Sequence, residues 1–237
     1  MMLIVVYSIV AMIALVLMQK GFRKLFPPKF IVIDGLIGAG KSTFISRLRS
    51  QNKKVLVVPE PVDEWMGILP LFYQNKQRYA YSFQTLALVT RIKKIQETYQ
   101  RAIDEGYEYV ISERSPLSDQ LFMNVLFNDR DVTPLEMEMY RKWKDMWMQI
   151  VPIPTKFVYL YVTSSTCLER IKIRGRKGED SIKQDYLEKL VQQHEILYSR
   201  HLQKIRNRLV PFVKIDMTGK SDDNETVRQV FENMISS

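Results

Sequence analysis

Residues 35–42, Gly35-Leu36-Ile37-Gly38-Ala39-Gly40-Lys41-Ser42, satisfy the pattern G-x-x-x-x-G-K-[ST], and they constrain the fold more tightly than any other stretch of the chain. The pattern carries meaning only between a strand and a helix, and both flanks fit. Phe30-Ile31-Val32-Ile33-Asp34 is a short, β-branched apolar run of the kind that forms a buried strand. Thr43-Phe44-Ile45-Ser46-Arg47-Leu48 continues with helical spacing. Glycines at 35, 38 and 40 let the backbone curl until its N–H groups converge on an anion, and the helix N-terminus adds partial positive charge. In such a cradle Ala39 and Thr43 line the anion, Lys41 reaches the β- and γ-phosphates, and the Ser42 hydroxyl is placed to ligate Mg²⁺. An ordinary glycine-rich turn has no need of Lys-Ser at this offset.

The rest of the chain repeats the alternation of strand and helix. Lys54–Val58 reads as a second strand, Tyr107–Ser112 as a third, Lys156–Val162 as a fourth and Val210–Ile215 as a fifth. Between them, Arg78 to Glu105 has no Gly or Pro before Gly106 and predicts a long helix with a glycine stop. Helices are expected over about 117–127, 134–150, 165–173, 185–208 and 225–234. The expectation is an α/β fold, a five-stranded parallel sheet with helices on both faces. Ligands of such sheets sit beyond the carboxyl ends of the strands.

A chain of 237 residues suffices for one such domain, and neither an internal repeat nor a Gly/Ser linker divides it. The formal charge of +9 is spread along helices, with one concentration around Arg170 to Lys177. Without a long basic stripe interleaved with aromatics, it suits a small phosphorylated ligand rather than a polynucleotide. A single cysteine, Cys167, excludes a disulfide framework and fits a reducing, cytoplasmic compartment. Cys167, His194 and His201 lack the spacing of a metal or catalytic set and read as structural or exposed.

Residues 1–18 are apolar and uncharged, and as a helix would span about 27 Å, close to the hydrocarbon thickness of a bilayer. Lys20, Arg23, Lys24 and Lys29 follow, which would hold the remainder on the cytosolic side. The segment is either a membrane anchor or an upstream extension of the reading frame. A cleaved signal peptide is disfavoured by the missing basic start and cleavage site. Residues 19–29 form a basic linker with Pro27-Pro28, and 30–237 the domain.

Chemistry-bearing residues collect at strand ends. Glu60-Pro61-Val62-Asp63-Glu64-Trp65 follows the second strand, and Glu113-Arg114-Ser115 the third. Arg170, Arg174 and Arg176 come after the fourth strand and its helix. Carboxylates, arginines and an aromatic beside a phosphate cradle make the inventory of a phosphotransferase, which needs positioning and charge neutralisation. On the long helix Gln84, Ala87 and Arg91 share one face, and a Gln amide offers both a donor and an acceptor to a base edge.

The motifs GLIGAGKST (35–43), EPVDEW (60–65), FYQNKQRYAYSFQ (72–84), ERSPLSD (113–119) and LERIKIRGRKGED (168–180), in this order, resemble the deoxyribonucleoside kinase family, on its deoxycytidine and deoxyguanosine kinase side. The resemblance covers most of residues 30–200 and implies a P-loop kinase with an arginine-rich lid, using ATP or another NTP and Mg²⁺. It implies that Glu60 is the base near the 5′-hydroxyl, that Arg114 neutralises charge there, and that Glu113 holds Mg²⁺ with Ser42. It makes Arg170, Arg174 and Arg176 the clamp on the donor phosphates, and Tyr73 with Glu179 the pair that holds the sugar 3′-hydroxyl. Trp65 and Phe83 would pack near the base; Phe83 fits a core position equally well. In the family, residues like Ala87, Arg91 and Asp119 accompany deoxycytidine and purine substrates, which sets thymidine aside. A homodimer through long helices is also implied. The chain departs from the family at Tyr79, at Pro116-Leu117, and at Asp216-Met217-Thr218-Gly219, where an acidic-aromatic pair is usual. Two other readings stay open: a thymidine-type or nucleoside-monophosphate kinase, and a nonenzymatic nucleotide-binding membrane adaptor.

Overall fold

In the computed structural model the described residues are 25–176, 178–219 and 224–236. Residues 1–24, which include the expected anchor and most of the linker, lie outside them; among the described residues no helix is long and apolar enough to cross a membrane.

Strands β1 (Lys29–Asp34), β2 (Val55–Val58), β3 (Tyr109–Glu113), β4 (Lys156–Tyr161), β5 (Leu202–Ile205) and β6 (Arg208–Asp216) form one sheet in the order β2-β3-β1-β4-β6-β5. The pairs β1–β3, β1–β4, β2–β3 and β4–β6 are parallel; β5–β6 is antiparallel. Helices α1 (Lys41–Gln51), α2 (Leu69–Gln74), α3 (Lys76–Glu105), α4 (Pro116–Asn128), α5 (Pro134–Trp147), α6 (Ser164–Arg174), α7 (Gln184–Tyr198) and α8 (Asn224–Ser236) cover it.

Strand side chains alternate between two cores, as a sheet buried on both faces requires. Phe30 and Val32 join Leu56, Val110, Phe157 and Phe212 against Leu88, Ile92 and Ile95 of α3. Ile31 and Ile33 join Ile111, Val158 and Leu160 against Phe44, Leu48, Leu187 and Leu190 on the other side. α3 keeps its length because Asn75 caps it, accepting from the Arg78 N–H at 3.0 Å, and because Gly106 ends it at φ +80°.

The parallel five-stranded sheet is corrected to six strands. The expected helix over 185–208 ends at Tyr198, and the chain turns into the β5–β6 hairpin, in which Ile205 faces Arg208 across a two-residue loop. Arg206 takes φ +53° there and donates to the carbonyls of Gln149 and Val151. Leu202, Ile205 and Leu209 recur at helical spacing; pairing with β6 and burial of Ile205 decide for the strand, which leaves Leu202 and Leu209 exposed. Two short elements also break the connection after β2: a 3₁₀ turn at Val62–Trp65, and α2.

Candidate active site

The loop after β1 is shaped by contact. A Cβ on Gly38 would lie 2.5 Å from the Cys167 carbonyl oxygen, and its φ of +82° is left-handed, so only glycine fits under α6. Gly40 caps α1 at φ +89°. Lys41 is buried and donates from Nζ to the carbonyls of Gly35 (3.1 Å) and Leu36 (2.8 Å). Burial, then the Arg114 charge, lowers its ammonium to about 8, against the pull of Glu113 and Glu60. An arriving phosphate would add counter-charge to a cation whose burial the nearby carboxylates only partly offset. Ser42 Oγ donates to Glu113 Oε2 at 2.8 Å, while Glu113 Oε1 lies 3.7 Å from Lys41 Nζ. A hydroxyl and a carboxylate side by side are hard oxygen donors that fit Mg²⁺ with several retained waters.

Glu113 ends β3, and Arg114 follows in the left-handed region at φ +66°. A non-glycine residue held there stores strain. The Arg114 amide donates to the Ile33 carbonyl, and its carbonyl accepts from Ser112 Oγ at 2.8 Å. The guanidinium is thereby aimed at Glu60 Oε1 (Nη1, 2.9 Å) and the Gly35 carbonyl (Nη2, 3.0 Å).

Arg91 of α3 completes a buried network. Its Nε donates to both Asp119 oxygens at 3.0 and 2.9 Å, Nη1 to the Glu113 carbonyl at 3.0 Å, and Nη2 to Glu60 Oε1 at 2.9 Å. Asp119 reaches it from the first turn of α4, whose start is fixed by a Ser115–Ser118 capping box. Burial pushes the Glu60 carboxyl up, but Arg114, Arg91 and Lys41 outweigh it and hold it down to about 2. Burial keeps Asp119 above its usual range despite Arg91, while the Asp119 and Glu60 charges keep Arg91 fully cationic. Glu60 Oε1 takes both arginines; Oε2 has no partner among the described residues.

These groups line a cleft of about 610 Å³ that also holds Trp65, Phe72, Tyr73, Phe83, Gln84 and Ala87. A volume of this order is that of a ligand-binding cleft. Trp65 stands edge-on to Phe83 at 5.8 Å, and its indole N–H donates to Thr90 Oγ1 at 2.9 Å. Gln84 is 3% exposed, yet its amide has no hydrogen-bond partner among the described residues. A buried amide left free in a cleft is ready for a ligand.

At the other end, Arg170 donates to the Ala39 carbonyl at 3.3 Å. Arg174 (Nη2, 2.7 Å) and Arg176 (Nη1, 3.2 Å) both grip the buried Glu179. Burial, then Glu179, raises the Tyr73 phenol above its usual range. Thr43 borders the cleft at the start of α1. All the residues expected from the sequence border this one cleft except Gly35 and Ala39, which touch it through Lys41 and Arg170. Among the lining residues not named from the sequence are two aromatics, Phe122 of α4 and Tyr186 of α7. The Arg114 guanidinium lies 5.0 Å from the Phe122 ring, and Lys76 lies 4.3 Å over Tyr186. Phe122 falls one turn after Asp119, a spacing that could have flagged it. His201 is exposed, while Cys167 and His194 are buried.

A phosphate loop after β1 of a largely parallel sheet, with carboxylates and arginines at the ends of β2 and β3, defines a P-loop kinase. The family model for deoxynucleoside kinase matches residues 31–236, and the chain belongs to that family. It is 31% identical to human deoxycytidine kinase over 237 residues, 87% of this chain and 88% of the relative. It is 28% identical to deoxycytidine kinase 2 of Gallus gallus (90% of this chain, 88% of the relative) and 29% identical to the mitochondrial deoxyguanosine kinase of Xenopus laevis (70% and 72%). The protein is an enzyme of phosphoryl transfer to deoxynucleosides, with a nucleoside and a nucleotide as its two substrates.

Proposed function

We propose that this enzyme transfers the γ-phosphoryl group of ATP, in the presence of Mg²⁺, to the 5′-hydroxyl of deoxycytidine and the purine deoxynucleosides. The observation that carries this reading is the pair of oxygens on Glu60: Oε1 is fixed by Arg91 and Arg114, leaving Oε2 to accept from the nucleophile. A carboxyl held at about 2 is ionised throughout the neutral range, so it orients the hydroxyl first and takes the proton as the new bond forms. The 5′-oxygen attacks the γ-phosphorus, the bridging P–O bond to the β-phosphate breaks, and its electron pair leaves with ADP. Arg114 lies between Glu60 and the phosphate loop, where negative charge gathers. Lys41 meets the β- and γ-phosphates, and Arg170, Arg174 and Arg176 the donor chain. Ser42 and Glu113 would hold Mg²⁺, which when bound neutralises phosphate charge.

Tyr73 and Glu179 would hold the sugar 3′-hydroxyl, Trp65, Phe83 and Phe122 would pack on the base plane, and Gln84 with the Arg91–Asp119 pair would meet the base edge; that all of them line one cleft supports this reading. Thymidine brings a methyl group towards that charged pair, where its burial leaves polar groups less well satisfied. We further propose a homodimer, supported by the exposed row Leu135, Met139, Trp143 and Met146 along α5, and a cytoplasmic kinase domain, supported by one free, buried cysteine. Residues 1–18 are proposed as its membrane contact, on their apolar composition.

The test is conversion of radiolabelled deoxycytidine to its 5′-monophosphate, with Glu60→Gln as control. Turnover is expected to fall by about 10²-fold or more, with nucleoside affinity nearly kept. Near-normal turnover in the variant would refute the role of Glu60.

A further inference from the structure

Asp34, the last residue of β1, is fully buried immediately before the phosphate loop, and the transfer chemistry leaves it without a task. Its Oδ1 accepts from the Gly35 N–H at 2.8 Å, lies 3.3 Å from His194 Nε2, and stands 4.0 Å from Arg114 Nε. His194 is itself fully buried on α7, clamped between two fixed partners: Nδ1 lies 2.7 Å from the Leu190 carbonyl, and the ring stacks on Tyr159 at 4.8 Å. Arg114 Nε has no partner within hydrogen-bond reach, and neither does the Tyr159 hydroxyl; the Tyr198 hydroxyl faces the Asp34 carboxylate, and burial, then that charge, raises its phenol well above the usual range. Burying a carboxylate is costly, and hydrophobic residues would serve a purely structural junction better. The charge is therefore explained by what it faces: the amide that opens the phosphate loop and the guanidinium beside Glu60.

We propose that Asp34 and His194 are a positioning pair for phosphoryl transfer. His194 fixes the Asp34 carboxylate, and that carboxylate sets both the first amide of the phosphate loop and the Arg114 side chain. Because Arg114 also donates to the Gly35 carbonyl, the two are bound into one unit: Asp34 holds the N–H of Gly35 while Arg114 holds its C=O. A small rotation of Asp34 moves the donor cradle and the acceptor arginine together, and misplacement of this kind costs rate rather than ground-state binding. Asp34 and His194 touch neither substrate; they act through Gly35 and Arg114.

The inference rests on the kinase reading, so the parent enzyme is assayed first, and turnover by the parent tests that reading alone. His194→Leu removes the nitrogen facing Asp34, whereas His194→Gln keeps an amide N–H near the Nε2 position. In protein shown folded by its cooperative thermal transition, His194→Leu is expected to lower kcat by about tenfold while deoxynucleoside affinity stays within about twofold. His194→Gln should recover most of the lost rate. Independently of any turnover, hydrogen exchange at the Gly35 amide should quicken in His194→Leu and return in His194→Gln, with the Ile33 amide unchanged. If His194→Leu does not fold, Asp34→Asn, which keeps the shape and removes the charge, should show the same loss of kcat. Parent-like kcat and Gly35 exchange in folded His194→Leu, or parent-like kcat in Asp34→Asn, would overturn the proposal.

Discussion

On the acceptor side of the cleft the side chains of Arg91, Arg114 and Asp119 are 5% exposed or less, Glu60 is 17% exposed, and each guanidinium already has a carboxylate. On the donor side Arg174 and Arg176 each keep 37% of their side chains exposed and share the single carboxylate of Glu179. The difference is one of timing. Charges locked together before substrate arrives need no reorganisation during the reaction, which is how a buried polar site accelerates transfer. Exposed arginines on one shared carboxylate are weakly held and can exchange it for phosphate oxygens at little cost. Under the proposed assignment of the two sides, the deoxynucleoside meets a finished pocket, whereas the nucleotide completes its own.

If the contrast is real, the largest effect lies in the acceptor network. Arg91→Met strands Asp119 as a buried carboxylate and leaves Glu60 to Arg114 alone, and denaturant unfolding should show a loss of about 3–5 kcal/mol. A loss below about 1 kcal/mol would mean that the network is no more prepaired than a surface ion pair. Pairing that change with Asp119→Ala removes one stranded charge; the double variant should regain stability over the single and raise its relative activity on thymidine. A double variant less stable than Arg91→Met would break the argument.

On the donor side the effects should be smaller. Arg174→Met is expected to cost about 1 kcal/mol of stability or less, since Arg176 still serves Glu179 and the side chain is half in water. The KM for ATP should rise about tenfold, the worth of one charge-assisted hydrogen bond. An unchanged KM would remove Arg174 from the donor site. The smallest effect is with pH. Lys41 is charged below about 8, and phosphate binding requires the charge. Donor affinity should therefore fall as pH rises, by about twofold between pH 7 and 8. Affinity that is flat or rises over this interval would place the Lys41 titration elsewhere.

The same contrast explains what could be read from the sequence. The phosphate loop is a local device, eight consecutive residues whose geometry follows from glycine and a helix start, and it appears in the fold as expected. Glu60, Arg91, Arg114 and Asp119 could be named from motifs, but nothing in their spacing says that one Glu60 oxygen carries two arginines; that depends on three elements meeting. Phe122 and Tyr186 were missed because each sits on a helix whose apolar residues serve core and cleft alike. β6 is legible as a strand, but residues 202–208 read as a continuation of the preceding helix because Leu202, Ile205 and Leu209 recur at helical spacing, and only cross-strand pairing makes them strand and turn. Asp34 and His194 lie 160 residues apart, and their meeting has no local signature.

The central claim is that a finished acceptor pocket, with Gln84 free and the Arg91–Asp119 pair beside it, selects the deoxynucleoside. The most direct measurement is kcat/KM of the unmodified enzyme for deoxycytidine, deoxyadenosine, deoxyguanosine and thymidine, each at equal concentration with ATP and Mg²⁺. The account predicts 5′-monophosphate formation from the first three, with thymidine lowest. Thymidine as the most efficient substrate would contradict the reading of the base pocket, and no phosphorylation of any of the four would contradict the account as a whole.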